Sequence, residues 1–406
     1  MNNLLKNTVW MSLSHLLSRG GLVVCSMLIA KYFDSVSFAN YSYLILTVTT
    51  IAIYSAVGIG VTTTKFYAKL RNGESSPVFL LGIMSFLFAI TGSMVFLIFS
   101  DSIIQSNIIN QAFIISLIIL FMSIDIYASN ALIGLEEFKK LFYGSFFAIL
   151  INFIAIFYAI FTNDIYYAIL GLLLSIFIQT FLNILFLFIS IPKKIIRNIS
   201  VSKKHFSVIG KTMGPMMLVS IFAASGTWIV GKYIINQSNG GLSEFAIFSI
   251  GLQWYSLALF IPTMISKVLL PSLIKGSSTK ITLKYNCLGI MSFCVFLAYI
   301  SYLIHPLIVD FYGAEYDISS FYIPIFFIIA GLNACCNILG NKIISSNNEL
   351  IWLSIVFICF LVLNIFCFVF NYLGANLGII ALGISNTLMI LLILIFFISK
   401  YNINRY

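Results

Sequence analysis

The chain has 406 residues, of which 61% are hydrophobic and 8% charged, and its mean hydropathy is +1.08. A soluble domain carries about 25% charged residues, so this composition excludes one and points to an integral membrane protein. The net charge of +10 does not indicate nucleic acid, because the basic residues fall in every second interhelical loop, where membrane topology puts them.

Apolar runs without the every-other-residue alternation of an outer-membrane barrel predict helical spans. About twelve runs of roughly 20 residues follow one another. They lie near 9–33, 39–62, 78–100, 108–133, 142–162, 165–190, 209–234, 244–266, 285–308, 319–342, 350–371 and 376–399. The first, VWMSLSHLLSRGGLVVCSMLIAKYF, is followed by no small-residue cleavage motif and reads as a retained span, not a signal peptide. It holds His15 and Arg19, four apart and so on one helix face, and Lys31 near its far end. A cation in hydrocarbon costs about 2.5–3.5 kcal/mol, so that face is expected to line a cationic cavity that passes an anionic, lipid-borne substrate.

With the N-terminus inside, the cytoplasmic segments collect every basic residue except Arg19, Lys31 and Lys232. The outer loops hold Asp34, Asp101, Asp164, Glu244, Asp310, Glu315 and Asp317. This bias predicts a multi-pass protein with two cytoplasmic termini. Connections are short. The longest polar interruption, IPKKIIRNISVSKKH at 191–205, divides an N-terminal six-helix bundle (1–207, with a basic linker at 191–207) from a C-terminal one (208–406).

The halves share weak collinear similarities. AKYFDSVSFANYSYLI (30–45) is similar to GKYIINQSNGGLSEFAIFSIGL (231–252), Lys65 matches Lys267, and SNALIG (129–134) matches GNKIIS (340–345). An even number of spans per half predicts a parallel repeat. The expected fold class is thus all-α, with about twelve transmembrane helices in two pseudo-symmetric six-helix bundles around a central cavity that opens alternately to either side.

Arg19 lies roughly 15 Å into its span at 1.5 Å per residue, near mid-bilayer. There a guanidinium can bind a pyrophosphate through paired hydrogen bonds, or hold a structural ion pair. Asp125, the one acid buried in a span, is predicted at similar depth, as a coupling carboxylate or as Arg19's partner. Lys31 and Lys232 occupy matching outer positions, as substrate cations or as side chains snorkelling to headgroups. His15 can titrate near neutral pH or serve as a satisfied polar group. Lys65, Lys211, Lys267 and Lys342 mark a cytoplasmic cavity entrance, or topology alone. Trp254 and Tyr255 can stack on sugars or simply fill space, and Trp10 and Trp352 suit the interfacial belt. Gly214-Pro215 and Pro262 can act as kinks or hinges. The seven cysteines lie in apolar runs without CxxC or Cys/His spacing, so disulfides, metals and redox cofactors are not expected.

LLKNTVWMSLSHLLSRGGLVVCSMLIAKYFDSVSFANYSYLI, GIGVTTTKFYAKL and NALIGLEEFKKL together resemble the Wzx-type polysaccharide or O-antigen flippases. These belong to the superfamily that also holds the MATE multidrug exporters and the lipid II flippases. The resemblance implies a monomeric flippase that moves undecaprenyl-pyrophosphate-linked oligosaccharide from the cytoplasmic to the periplasmic leaflet. It implies a place in the bacterial cytoplasmic (inner) membrane, membrane lipids and a coupling proton or sodium ion as partners, and no enzymatic activity. The absence of a GxxxxGK[ST] loop accords with drive by a gradient and not ATP. The alternative is a cation-coupled multidrug antiporter of the MATE type, which wants buried acids where only Asp125 is available. A membrane-embedded glycosyltransferase or polymerase would need a sizeable outer loop, and the outer loops are short.

Overall fold

Serine and threonine stay helical in apolar spans when their hydroxyls bond to the carbonyl one turn back. Thr50 does so to Leu46 at 2.7 Å, Ser123 to Ile119 at 2.7 Å and Thr180 to Ile176 at 2.8 Å. Hydrocarbon demands that every backbone group be paired within its segment, and helices supply that. The computed structural model describes residues 2–56, 58–71, 78–103, 111–191, 203–237, 240–274, 280–313, 315–316, 318–346 and 348–403, and contains no strand among them. The heart of the expected basic linker, 192–202, lies outside the described residues, as do the side chains of Lys211 and Lys267.

The helices are α1 (Asn2–His15), joined through a π-helical turn (Leu16–Gly20) to α2 (Gly21–Tyr32), then α3 (Ser35–Ser55), α4 (Ile59–Arg71) and α5 (Val78–Ile103). They continue as α6 (Ala112–Gly134), α7 (Phe138–Thr162), α8 (Tyr166–Ser190), α9 (Lys203–Ile235) and α10 (Gly241–Ile274). The rest are α11 (Lys280–Leu303), α12 (His305–Tyr312), α13 (Tyr322–Ser345), α14 (Glu349–Val369) and α15 (Asn376–Ile403). Twelve stretches among the described residues are long and apolar enough to cross a membrane, so the chain is an all-α, multi-pass membrane protein. Their outward faces are apolar: Phe161 is 88% exposed, and Ile98 74%. Such surfaces are stable in lipid and not in water.

Two spans end earlier than expected. The second, read as 39–62, stops at Ser55, because Gly58 takes φ +68° and α4 starts afresh at Ile59. The ninth, read as 285–308, stops at Leu303, and Pro306 sits in the first turn of the separate α12, where its missing N–H costs nothing.

Cα packing divides the chain into two compact units that do not follow the 207/208 division. The first comprises Met1–Cys25 and Tyr43–Ala224, the second Ser26–Ser42 and Ser225–Tyr406. In the first unit, α8 lies against α6 and α7, α6 also meets α4 and α5, and α1 lies on α7. Ile59, Tyr67, Leu81, Ala131 and Leu132 form one of its cores. In the second unit α13 is central, touching α10, α11, α14 and α15, and its span is the most buried of the twelve. Trp352, expected at the interface, is only 5% exposed and lies against Gly340, where a Cβ would come within 2.5 Å of its ring. All seven cysteines are free, and all but Cys287 are buried.

Candidate functional site

The polar centre of the first unit is built from residues that hydrophobicity alone would not place in spans. Gln179 and Asn183 are one turn apart on α8 and face α6. Asn183 Nδ2 donates to Asp125 Oδ1 at 2.7 Å, and Gln179 Nε2 donates to Oδ2 at 3.1 Å. The carboxylate thus has one neutral donor on each oxygen and is half-buried. Asn183 itself is fully buried, and its Oδ1 has no hydrogen-bond donor among the described residues. It can reach this position because the facing α7 residue is Gly144, where a Cβ would meet that oxygen at 2.6 Å. Asn152, on α7 and fully buried, has no hydrogen-bond partner for either amide atom among the described residues. A carboxylate held only by neutral amides at this depth can exchange a proton or hold a small cation, and intramembrane acids of this kind mark ion pathways.

Arg19 does not pair with Asp125. Among the described residues no acid or hydrogen bond engages the guanidinium, and its side chain is exposed. It sits within the π-helical turn, where the Gly21 N–H reaches back to the carbonyls of Leu16 and Leu17. Such widened turns recur at functional sites. Gly21 itself lies tight on α7, since a Cβ there would come within 2.4 Å of Ile149. His15 is half-buried and engaged with a partner.

Lys31 and Lys232, expected as counterparts in opposite halves, both belong to the second unit. Each is exposed and lies over aromatic rings: Lys31 Nζ is 4.8 Å from the Phe311 centroid and 5.8 Å from that of Tyr32, and Lys232 Nζ is 5.3 Å from that of Trp228. The segment carrying Lys31 is fastened within this unit by a buried relay. Tyr312 donates to Gln253 Oε1 at 2.8 Å, Gln253 Nε2 donates to Ser26 Oγ at 2.9 Å, and Tyr316 donates to the Ala30 carbonyl at 3.2 Å. Beyond it, partial burial pulls the Asp34 carboxyl up, but hydrogen bonds from Ser37 and from nearby backbone N–H groups outweigh this and hold it below the usual range.

Lys65, in the middle of α4, and Lys342, in the last turn of α13, are both half-buried. Trp254 and Tyr255 pack edge-on against Phe327 and Phe326, 6.0 and 6.4 Å between centroids. His305 Nε2 lies 2.8 Å from the Ile318 carbonyl, which ties α12 to the loop after it. No cluster of three or more metal-ligating side chains occurs among the described residues. Sequence reasoning found Asp125 but missed Gln179, Asn183 and Asn152. The signal was present as amides inside apolar runs, two of them spaced i, i+4.

No protein-family model matches the chain, and no curated protein matches it in sequence. Solved structures do. An outward-facing multidrug resistance MATE family transporter of the MOP superfamily superposes with TM-score 0.74 at 12% identity, over 99% of this chain and 96% of that one. An inward-facing multidrug resistance MATE transporter gives 0.76 at 14% identity, over 96% of each chain. The Vibrio cholerae MATE transporter VcmN in its bent form gives 0.67 at 13%, over 97% and 96%. These neighbours overturn the expectation of an O-antigen flippase: they are MATE transporters, two of them named for multidrug resistance, and no sequence match supports undecaprenyl-linked cargo. The hydrophobic patterns behind that expectation specify where helices lie, which the superfamily shares, and not what passes between them. Among the described residues the chain has the all-helical, twelve-span fold of the MATE transporters.

Proposed function

We propose that the protein is a secondary-active multidrug exporter of the MATE type, which works by alternating access and is driven by a proton or sodium ion that binds at Asp125. The full-length likeness to MATE transporters, over nearly all of both chains, carries the transporter reading. The Asp125 cluster supports the coupling role, because an acid held by two neutral amides can take up a cation without breaking an ion pair. Arg19 is the cargo contact. As an unpaired cation within a span it favours amphiphiles that bear a carboxylate or phosphate over purely cationic drugs. Lys31 and Lys232, placed over aromatic rings, serve as outer contacts for the same class of cargo, with His15 near the inner one. The reading places the protein as a monomer in the bacterial cytoplasmic membrane with both termini inside, and gives it no enzymatic activity.

The test is transport by purified protein in liposomes under an imposed proton or sodium gradient, with a zwitterionic fluorescent quinolone and ethidium as probes. Gradient-driven movement of the quinolone, faster than that of ethidium and lost in Asp125→Asn, is the expected result. If neither gradient moves either probe, the proposal is overturned.

A further inference from the structure

Two adjacent lysines open α7, and the structure treats them differently. Lys140 Nζ donates to Ser190 Oγ at 2.7 Å and pairs with Glu137 at 3.3 Å. Lys139 is exposed and has no acidic partner among the described residues. Its ammonium lies 5.8 Å from the ring centroid of Trp10, at the start of the first span, and 5.8 Å from that of Tyr143. Trp10 is fixed edge-on against Phe142, 5.1 Å between centroids. One and two turns further along the same two helices, Leu13, Phe146 and Leu150 are exposed apolar side chains. Both spans begin here, so the aromatic and basic cluster stands at a membrane boundary and the apolar side chains stand within the hydrocarbon.

We infer that Trp10, Lys139 and Tyr143 hold the headgroup of one anionic phospholipid, with an acyl chain lying along Leu13, Phe146 and Leu150. The ring faces attract the ammonium and define its position, while its N–H groups stay available for phosphate oxygens. Trp and Tyr sit at headgroup level by preference, and basic pockets between helices suit anionic heads. A zwitterionic head is the poorer fit, because its own ammonium competes with Lys139 for the same phosphate and the same rings. This site is independent of the cargo and coupling residues.

Native mass spectrometry of the full-length protein, titrated with phosphatidylglycerol or with phosphatidylcholine of the same chains, tests the inference. The wild type should retain phosphatidylglycerol preferentially. Lys139→Gln should weaken that retention about fivefold, the worth of one well-placed lysine at an anionic headgroup. Lys284→Gln removes another exposed lysine at the start of a span, one without an aromatic clamp, and should leave retention unchanged. Tyr143→Leu keeps the charge but loses a ring and should lower retention, whereas Lys139→Arg should preserve it. Absence of a phosphatidylglycerol preference in the wild type, or equal losses in Lys139→Gln and Lys284→Gln, overturns the site in favour of a diffuse positive surface.

Discussion

Asn183 donates to Asp125 across α6 and α8 at 2.7 Å, and the glycine opposite, Gly144, leaves its other amide atom room without a partner. Removing that donor leaves one carboxylate oxygen dry. Asn183→Leu should therefore destabilise the protein by about 1.5–3 kcal/mol, the range for a hydrogen bond to a charged group. Asp125→Asn should fold normally and yet abolish gradient-driven transport. Thermal unfolding in detergent together with liposome flux checks both. An Asp125→Asn protein that still couples cargo to a gradient would remove this residue from the mechanism.

Arg19 gives the opposite signature. No acid depends on it among the described residues, so Arg19→Ala should leave the melting temperature unchanged or raise it, since a cation in a span is costly. Cargo affinity should fall roughly tenfold or more, the loss expected for a charge-assisted contact. Arg19→Lys should recover only part of it, because an ammonium cannot form the paired hydrogen bonds of a guanidinium. Binding isotherms for an anionic probe, measured beside the melting curves, separate the two effects.

Gly374 stands at φ +60°, ψ −140° before α15, a conformation almost confined to glycine. A Cβ there would also come within 2.6 Å of Glu244 Oε2, the atom that accepts the Ala375 N–H at 2.7 Å. Gly374→Ala should cost about 1–3 kcal/mol from backbone strain alone. Gly214, one residue before Pro215 in α9, has no atom of another described segment within 4 Å of where a Cβ would stand. Gly214→Ala should change stability little, because a gain of about 0.5–1 kcal/mol in helix propensity is opposed by crowding of the new Cβ against the Pro215 ring, and if this point bends during transport it should slow turnover. Melting temperatures for the pair, with transport rates for the second, decide.

Asp34 accepts the Ser37 N–H at 3.0 Å and caps α3. Its carboxyl is held below the usual range, so the ionised form is favoured in the folded protein. The contribution is present at pH above the ordinary aspartate value of about 4 and is lost as the pH falls through the lowered folded value. Asp34→Ala should lower stability at neutral pH by about 0.5–2 kcal/mol, and the gap between the two proteins should close in acid. Asp34→Asn should retain the cap without that dependence. Melting temperatures of the three proteins across roughly pH 3–7 provide the check.

Composition and the length of apolar runs decided that this chain is helical and crosses a membrane many times, because hydrocarbon permits few other ways to pair a backbone. The same runs located every span, and the cost of charge in lipid singled out Arg19 and Asp125. What they could not decide was partnership. Charge and depth suggested an Arg19–Asp125 pair, but Gly144 on α7 leaves room for Asn183 of α8, which with Gln179 gives Asp125 two amide donors instead. Likewise, similar sequence around Lys31 and Lys232 suggested opposite halves, yet tertiary contacts through Ser26, Gln253 and Tyr312 assign both to one unit. Cargo was the least legible feature, since apolar patterning fixes where helices run while selectivity comes from side chains that distant segments bring together.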